Sequence, residues 1–168
     1  LFAAAAAGEL RDPAGLRSQL DRLLGTVRGD EGFRSFAVGW LQLEPLASVS
    51  RDGETYPEFD TVVRDGLDEE LRRLAGHVFT ADGDLGDLLG ADVTWLDDQL
   101  ADFYGLPGPE EPTLGGYGPV PLQEPGLLGR GAVMATHAQP TASSPVHRGQ
   151  LVRERLLCQD LPEPPANL

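Results

Sequence analysis

The sequence predicts a mostly α-helical protein, an irregular multi-helix bundle with a long Pro/Gly-rich loop and an extended Pro-rich strap at its C-terminal end. Three observations carry that expectation. Apolar residues recur at helical spacing in four separate stretches, among them Leu16/Leu20/Leu23/Leu24 and Val63/Leu67/Leu71/Leu74/Val78, the period of one buried helix face. Strand-like alternation is confined to a weak trace in GYGPVPL. Six of the fourteen prolines and five glycines crowd into residues 107–126, a composition that breaks helices and central strands alike.

Taken in order, Phe2 to Ala7 forms a short helix ending at Gly8, a natural left-handed terminator. Asp12 caps the next helix and Pro13 opens it, with the four leucines on one face. Gly29 is expected to break the chain before a third helix carrying Phe33, Phe36, Ala37, Trp40 and Leu41 on one side and ending at Pro45. Residues 48–56 read as a polar loop with Asp52-Gly53 as its turn. The longest helix runs from about Asp60 to Phe79. On it Glu69 and Arg73 form an i, i+4 pair, and Glu70 reads with Glu69 as part of the solvated face.

Ala81 to Asp92 is turn-rich, with a single helical turn at Leu85–Leu89. Asp92 or Thr94 is then expected to cap a helix bearing Trp95, Leu96, Gln99, Leu100 and Phe103. GLLGRGAVMATHA reads as a glycine-loosened helix reaching Ala138. Trp40, Phe36, Leu71, Leu74 and Leu100 are expected in one core.

The clearest local grammar lies in TASSPVHRGQLVRERLLC, residues 141–158. Ser144 is an N-cap, Pro145 occupies the first helical position, and Leu151, Val152 and Leu156 make an apolar stripe. LPEPPANL beyond it cannot continue a helix and runs extended. Gly149 in the first turns weakens the helix, a feature of places where another backbone comes close. Arg148 has five donors with which to tie a neighbouring segment. Ser144, Pro145, Arg148 and Gly149 are therefore the candidate structural clasp.

Composition limits the function. Forty per cent hydrophobic residues suffice for a core. Thirteen basic residues, all Arg, face 27 acidic ones for a net charge of −14, with no basic stripe for nucleic acid or for an anionic membrane surface. LFAAAAAGEL is too short for a membrane span, and a chain opening on Leu1 reads as a cut-out or processed piece of something longer. Cys158 stands alone, so an intrachain disulfide or a multi-Cys metal site is ruled out.

Chemistry-bearing residues are sparse. Met134, His137 and His147, with Cys158 nearby in sequence, are the residue types that ligate haem iron or soft metals. They are the candidate cofactor ligands, yet HExxH, CxxC and CxxCH are all missing, and neither catalytic residues nor a metal site is assigned. Ser143 or Ser144 with His147 and Asp160 lacks a nucleophile elbow. Glu70 and His77 are seven residues apart, too far along a helix for a di-metal pair.

SPVHRGQLVRERLLCQDLPEPPAN resembles the signature of the planctomycete-type cytochrome-associated domains. ELRDPAGLRSQLDRLL, FRSFAVGWLQLEPL, YPEFD and LLGADVTWLDDQLADFYGLPG resemble upstream motifs of the same tandem, in the same order. The resemblance implies a first domain over residues 1–106, a connection over 107–126 and a smaller second domain over 127–168. It further implies export to the periplasm or cell surface, and a c-type haem segment downstream in the longer protein. The expected role is a non-catalytic scaffold that positions that segment, with the neighbouring domains of its own chain as partners. This piece is expected to bind no cofactor or metal tightly itself. Two alternatives are a wall of the active site of a haem-dependent oxidoreductase, and a carbohydrate- or surface-binding module using Trp40, Trp95, Tyr104 or Tyr117.

Overall fold

The computed structural model describes residues 1–161 apart from 82, 114, 124 and 125, with the side chains of 30 and 80 also left out. Most of LPEPPANL, expected to be an extended strap, lies outside the described residues. The described chain is mostly helical. It runs α1 (Phe2–Ala6), α2 (Pro13–Leu24), α3 (Val27–Trp40), α4 (Thr61–Thr80), α5 (Leu85–Leu89), β1 (Val93–Leu96), α6 (Asp98–Tyr104), β2 (Gly118–Pro121), α7 (Gly131–Thr136) and α8 (Pro145–Leu151). Short 3-10 turns link several of these.

The caps expected at Asp12 and Ser144 are in place, and Asp60, expected to begin the long helix, is its cap. Asp12 accepts from Gly15 N–H at 3.2 Å, Asp60 from Val63 N–H at 2.8 Å, and Ser144 from His147 N–H at 3.3 Å. Each satisfies one of the four N–H groups a helix start leaves without an internal partner. Gly29 departs from expectation: it lies inside α3 and does not break the chain. Thr26 caps that helix by accepting from Gly29 N–H at 3.2 Å. A Cβ at 29 would meet Leu24 O at 2.5 Å, so the sharp α2–α3 corner requires the glycine.

The core is built on α4. Leu67, Leu71 and Leu74 meet Leu41, Leu43 and Leu46 from one side, Leu96, Leu100 and Val120 from another, and Leu127, Val133 and Leu151 from a third. Residues after 126 thus share one core with those before 106. Leu71, Leu74 and Leu100 sit there as expected and Trp40 packs against it, but Phe36 does not join them and is 58% exposed. Phe36 lies on the outer side of α3, stacked on Trp40 at 6.1 Å, because Ala37 and Leu41 face α4 instead.

The helix expected from Asp92 is a strand followed by a helix. Thr94 and Leu96 are buried while Val93 and Trp95 are half-buried, an inside–outside alternation of period two. β1 pairs antiparallel with β2, Thr94 opposite Val120, and Asp97, not Asp92 or Thr94, caps α6 by accepting from Leu100 N–H at 2.8 Å. α8 also departs from a plain helix. Residues Val152–Leu156 widen into a π turn, in which Leu157 N–H donates to Val152 O at 3.0 Å. Trp40 Nε1–H donates to Arg155 O at 2.9 Å in this turn, so a side chain from α3 interrupts the helical ladder, a recognised cause of such bulges.

Candidate functional site

Glu70 is the structural surprise. It lies on α4 between Leu67, Leu71 and Leu74, 1% exposed, and is not on the solvated face with Glu69. Its neighbour does face outward and pairs with Arg73 at 2.7 Å. A carboxylate taken from water must gain hydrogen bonds or be neutralised. Thr94 Oγ1–H donates to Glu70 Oε1 at 2.6 Å, and Tyr104 Oη–H donates to Oε2 at 2.6 Å. Tyr104 Oη in turn accepts from Gly131 N–H at 2.8 Å. A helix, a strand, a second helix and the start of α7 therefore meet on one acid.

Arg130 closes the arrangement. It is 3% exposed, and its Nη2 donates to Ala91 O at 2.7 Å and to Val93 O at 3.4 Å. That guanidinium holds the strand's entry while its charge acts on Glu70. Burial raises the Glu70 carboxyl above the usual range, opposed by the Thr94 and Tyr104 hydrogen bonds and by Arg130. Burial, followed by the charge of Glu70, pushes the Tyr104 hydroxyl well up. Burial lowers Arg130, with Glu70, Tyr104 and Asp92 acting the other way. Chemically, the site can hold a proton on Glu70 or Tyr104 and a cation at Arg130. It opens on a cavity of about 380 Å³ lined by Glu70, Tyr104, Leu122, Gln123 and Arg130.

Gly131 is the close-approach glycine. A Cβ there would fall on Leu67 Cδ2 and lie 2.5 Å from Tyr104 Oη. Gly149, expected to mark such a crossing, has open space: among the described residues nothing beyond its chain neighbours and the backbone of its own helix lies within 4 Å of its Cβ position. The two backbones meet where GLLGRG enters α7, and there the bare hydrogen is needed. Of the other clasp residues, Ser144 is buried and caps α8, Pro145 is its exposed first residue, and Arg148 is half-buried.

The candidate ligands Met134, His137 and His147 do not form one site. His137 Nε2 lies 2.9 Å from Leu41 O, a bond that ties α7 to the end of α3. His147 is exposed on α8. Met134 lines an apolar cavity of about 280 Å³. Among the described residues no group of three or more His, Cys, Asp or Glu is placed to hold a metal ion. Trp95 stacks on His77 at 4.4 Å with planes 39° apart, so those two rings are not a coplanar platform. No described helix is long and apolar enough to cross a membrane.

Glu70 was missed for a reason visible afterwards. Its position, three after Leu67 and four before Leu74, falls inside the apolar stripe, and an acid in such a stripe is itself the signal. Thr94, Tyr104 and Arg130 carried none, since nothing local shows that three distant segments converge.

No curated protein and no solved structure matches the chain. Two family models do. Residues 124–168 match PSCyt3, a protein of unknown function (DUF1588), and residues 1–106 match PSD4, a protein of unknown function (DUF1592). Arg130 and Gly131 thus come from one family segment and Glu70, Thr94 and Tyr104 from the other. The chain belongs to the PSD4 family, joined in tandem to a PSCyt3 segment, a pair of planctomycete cytochrome-associated domains of unknown function.

Proposed function

We propose that this tandem is a non-catalytic helical scaffold in a larger exported, cytochrome-associated protein, and that it positions a c-type haem segment downstream. The observation that carries the reading is the shared core. The second segment cannot bury Leu127, Val133 and Leu151 without the first, and it is bolted there by Arg130 and by the Trp40–Arg155 bond. Whatever follows Leu157 therefore leaves from a turn anchored to the body of the protein.

The residues present do not fit a haem of their own. The single cysteine is exposed, so a pair of thioether attachments cannot form within the chain. His137 Nε2 already meets a carbonyl, and the cavity beside Met134, about 280 Å³, falls just below the range of about 300–1,000 Å³ usual for ligand pockets. Any haem belongs to other segments.

The test is to recover the native protein from fractionated cells and assay it for covalent haem by pyridine haemochrome. A haem-bearing product in the envelope or periplasmic fraction is expected. A cytosolic product without covalent haem overturns the reading. The alternative of an active-site wall draws on Glu70 and Arg130 beside the polar cavity. It requires Glu70→Gln, in protein that remains folded, to abolish an activity of the full protein, whereas the scaffold reading requires activity to persist.

A further inference from the structure

The apolar cavity beside Met134 lies at the junction of the two family segments, and the scaffold reading gives it no role. Its walls are Phe59, Phe103 and the ring of Tyr104 from the first segment, with Met134 and Ala135 from the second. At about 280 Å³ it is small. Phe59 meets Phe103 edge to face at 6.4 Å and 62°, and Phe103 meets Tyr104 likewise at 5.8 Å and 67°, so the wall is a mutually braced set of aromatic rings, apolar surface against which a flat guest can pack.

One charged group lines this space, Arg51. Its guanidinium reaches across to the second segment, with Nη1 donating to Gln139 O at 3.2 Å and Nη2 to Ala135 O. Nη1 also lies 3.4 Å from Ser50 O, and the cation sits 5.8 Å from the Phe59 ring centre. Among the described residues these contacts engage Nη1 and one Nη2 hydrogen and leave Nε–H unmatched, and a guanidinium offers five donors in a fork that suits a carboxylate. Carbonyl oxygens supply no countercharge. The partial burial that lowers Arg51 is offset by the opposite charge of an arriving anion. In a chain of net charge −14, a lone cation over an aromatic box selects against cations and favours a small acid.

We propose that this cavity binds a small aromatic monocarboxylate, its ring between Phe59, Phe103 and Met134 and its carboxylate on Arg51. The proposal does not depend on the haem-scaffold reading, and either can fail alone. Met134 is the only methionine, so methyl-¹³C-methionine labelling places a single NMR reporter inside the cavity. Benzoate is the probe, benzamide the uncharged isostere and acetate the ringless acid. Benzoate is expected to shift the Met134 methyl saturably with a Kd near about 1 mM or tighter, and both controls to bind at least about tenfold more weakly. Ala138→Phe, which fills the cavity from the α7 end, is expected to abolish the shift while circular dichroism stays native. If that variant does not fold, Ser143→Trp at the rim replaces it with the same expectation. No saturable shift with benzoate, equal affinity for benzamide, or a shift that survives the filled cavity overturns the proposal. A tryptophan- or phenylalanine-bearing peptide competing better than benzoate also overturns it, by making the occupant a protein side chain.

Discussion

Two amphipathic helices of this chain met opposite fates. α4 carries Val63, Leu67, Leu71, Leu74 and Val78 on one face, and the fold buries every one of them. α2 carries Leu16, Leu20, Leu23 and Leu24 at equally regular spacing, yet not one of its twelve residues is buried. The leucines of α2 are 55%, 52%, 38% and 41% exposed, with Val27 beyond them at 76%. By pattern the two are alike. Burial depends on a second surface arriving, and periodicity states only that one is wanted. α4 receives α3, β1, α6 and α7, whereas among the described residues the main contacts of α2 are with its chain neighbours, the turn before it and α3.

Substitutions should register that contrast, and the largest effect is expected at Glu70. Glu70→Ala strands the hydroxyls of Thr94 and Tyr104 and takes from Arg130 the strongest of the opposing charges that act on it, leaving Asp92. Loss of one partner from such a buried arrangement costs about 3–5 kcal/mol, readable by urea denaturation. Glu70→Gln keeps the shape and removes the charge, so it separates packing from electrostatics. Because burial raises the folded-state pKa of Glu70 above its ordinary 4.5, the folded protein holds that proton more tightly than the unfolded chain. Its contribution is therefore most favourable at low pH and declines as pH rises from about 4.5 through the raised value. The stability of wild type relative to Glu70→Gln should fall across that window, and a difference independent of pH would show that Glu70 is not perturbed.

Next in size is Leu71→Ala. At 1% exposure in the middle of the core, it should lose about 2–5 kcal/mol through transfer and cavity formation, seen as a lowered denaturation midpoint. Gly131→Ala drives a methyl against Leu67 and Tyr104 and should cost about 1–3 kcal/mol by overpacking. Gly149→Ala, with its Cβ site open, should instead stabilise by up to about 1 kcal/mol through better helix propensity. Matching signs at 131 and 149 would mean that the crossing has been misplaced.

Ser144→Ala removes a cap whose geometry is present and should lower stability by about 1 kcal/mol in a thermal melt. The smallest effect belongs to α2. Leu20→Ser in the isolated chain should change stability by no more than about 0.5 kcal/mol. A loss as large as that at Leu71 would show that α2 is covered in solution.

Much of this architecture is legible in the residues themselves. Asp12 and Ser144 announce their helices, because a cap is a bond between a side chain and a backbone group three residues away. The long helix near 60–79 and the turn at Leu85–Leu89 follow from period and punctuation for the same local reason. The strand at Val93–Leu96 was hidden by its length, since four residues are compatible with one helical turn or one strand, and only pairing with β2 decides between them.

The site was less legible still. Met134, His137 and His147 attract attention as residue types, yet His137 bonds a carbonyl, His147 faces solvent and Met134 lines an apolar cavity. Gly149 is a position where a close backbone crossing is expected, and its Cβ site is open; the close crossing falls instead at Gly131.

By itself, then, the sequence determined the helical class, the long helix, the caps at Asp12 and Ser144, the acidic balance and, through the order of its motifs, the family. Tertiary structure alone decided which apolar stripe is covered, that Glu70 is buried, and that Thr94, Tyr104 and Arg130 gather around it. The physical reason is range. Capping and periodicity act within one or two turns of chain, whereas the hydrogen bonds that gather the buried site join groups 24 to 39 residues apart, and Glu70 and Arg130 are more distant still, so they meet only when the core closes.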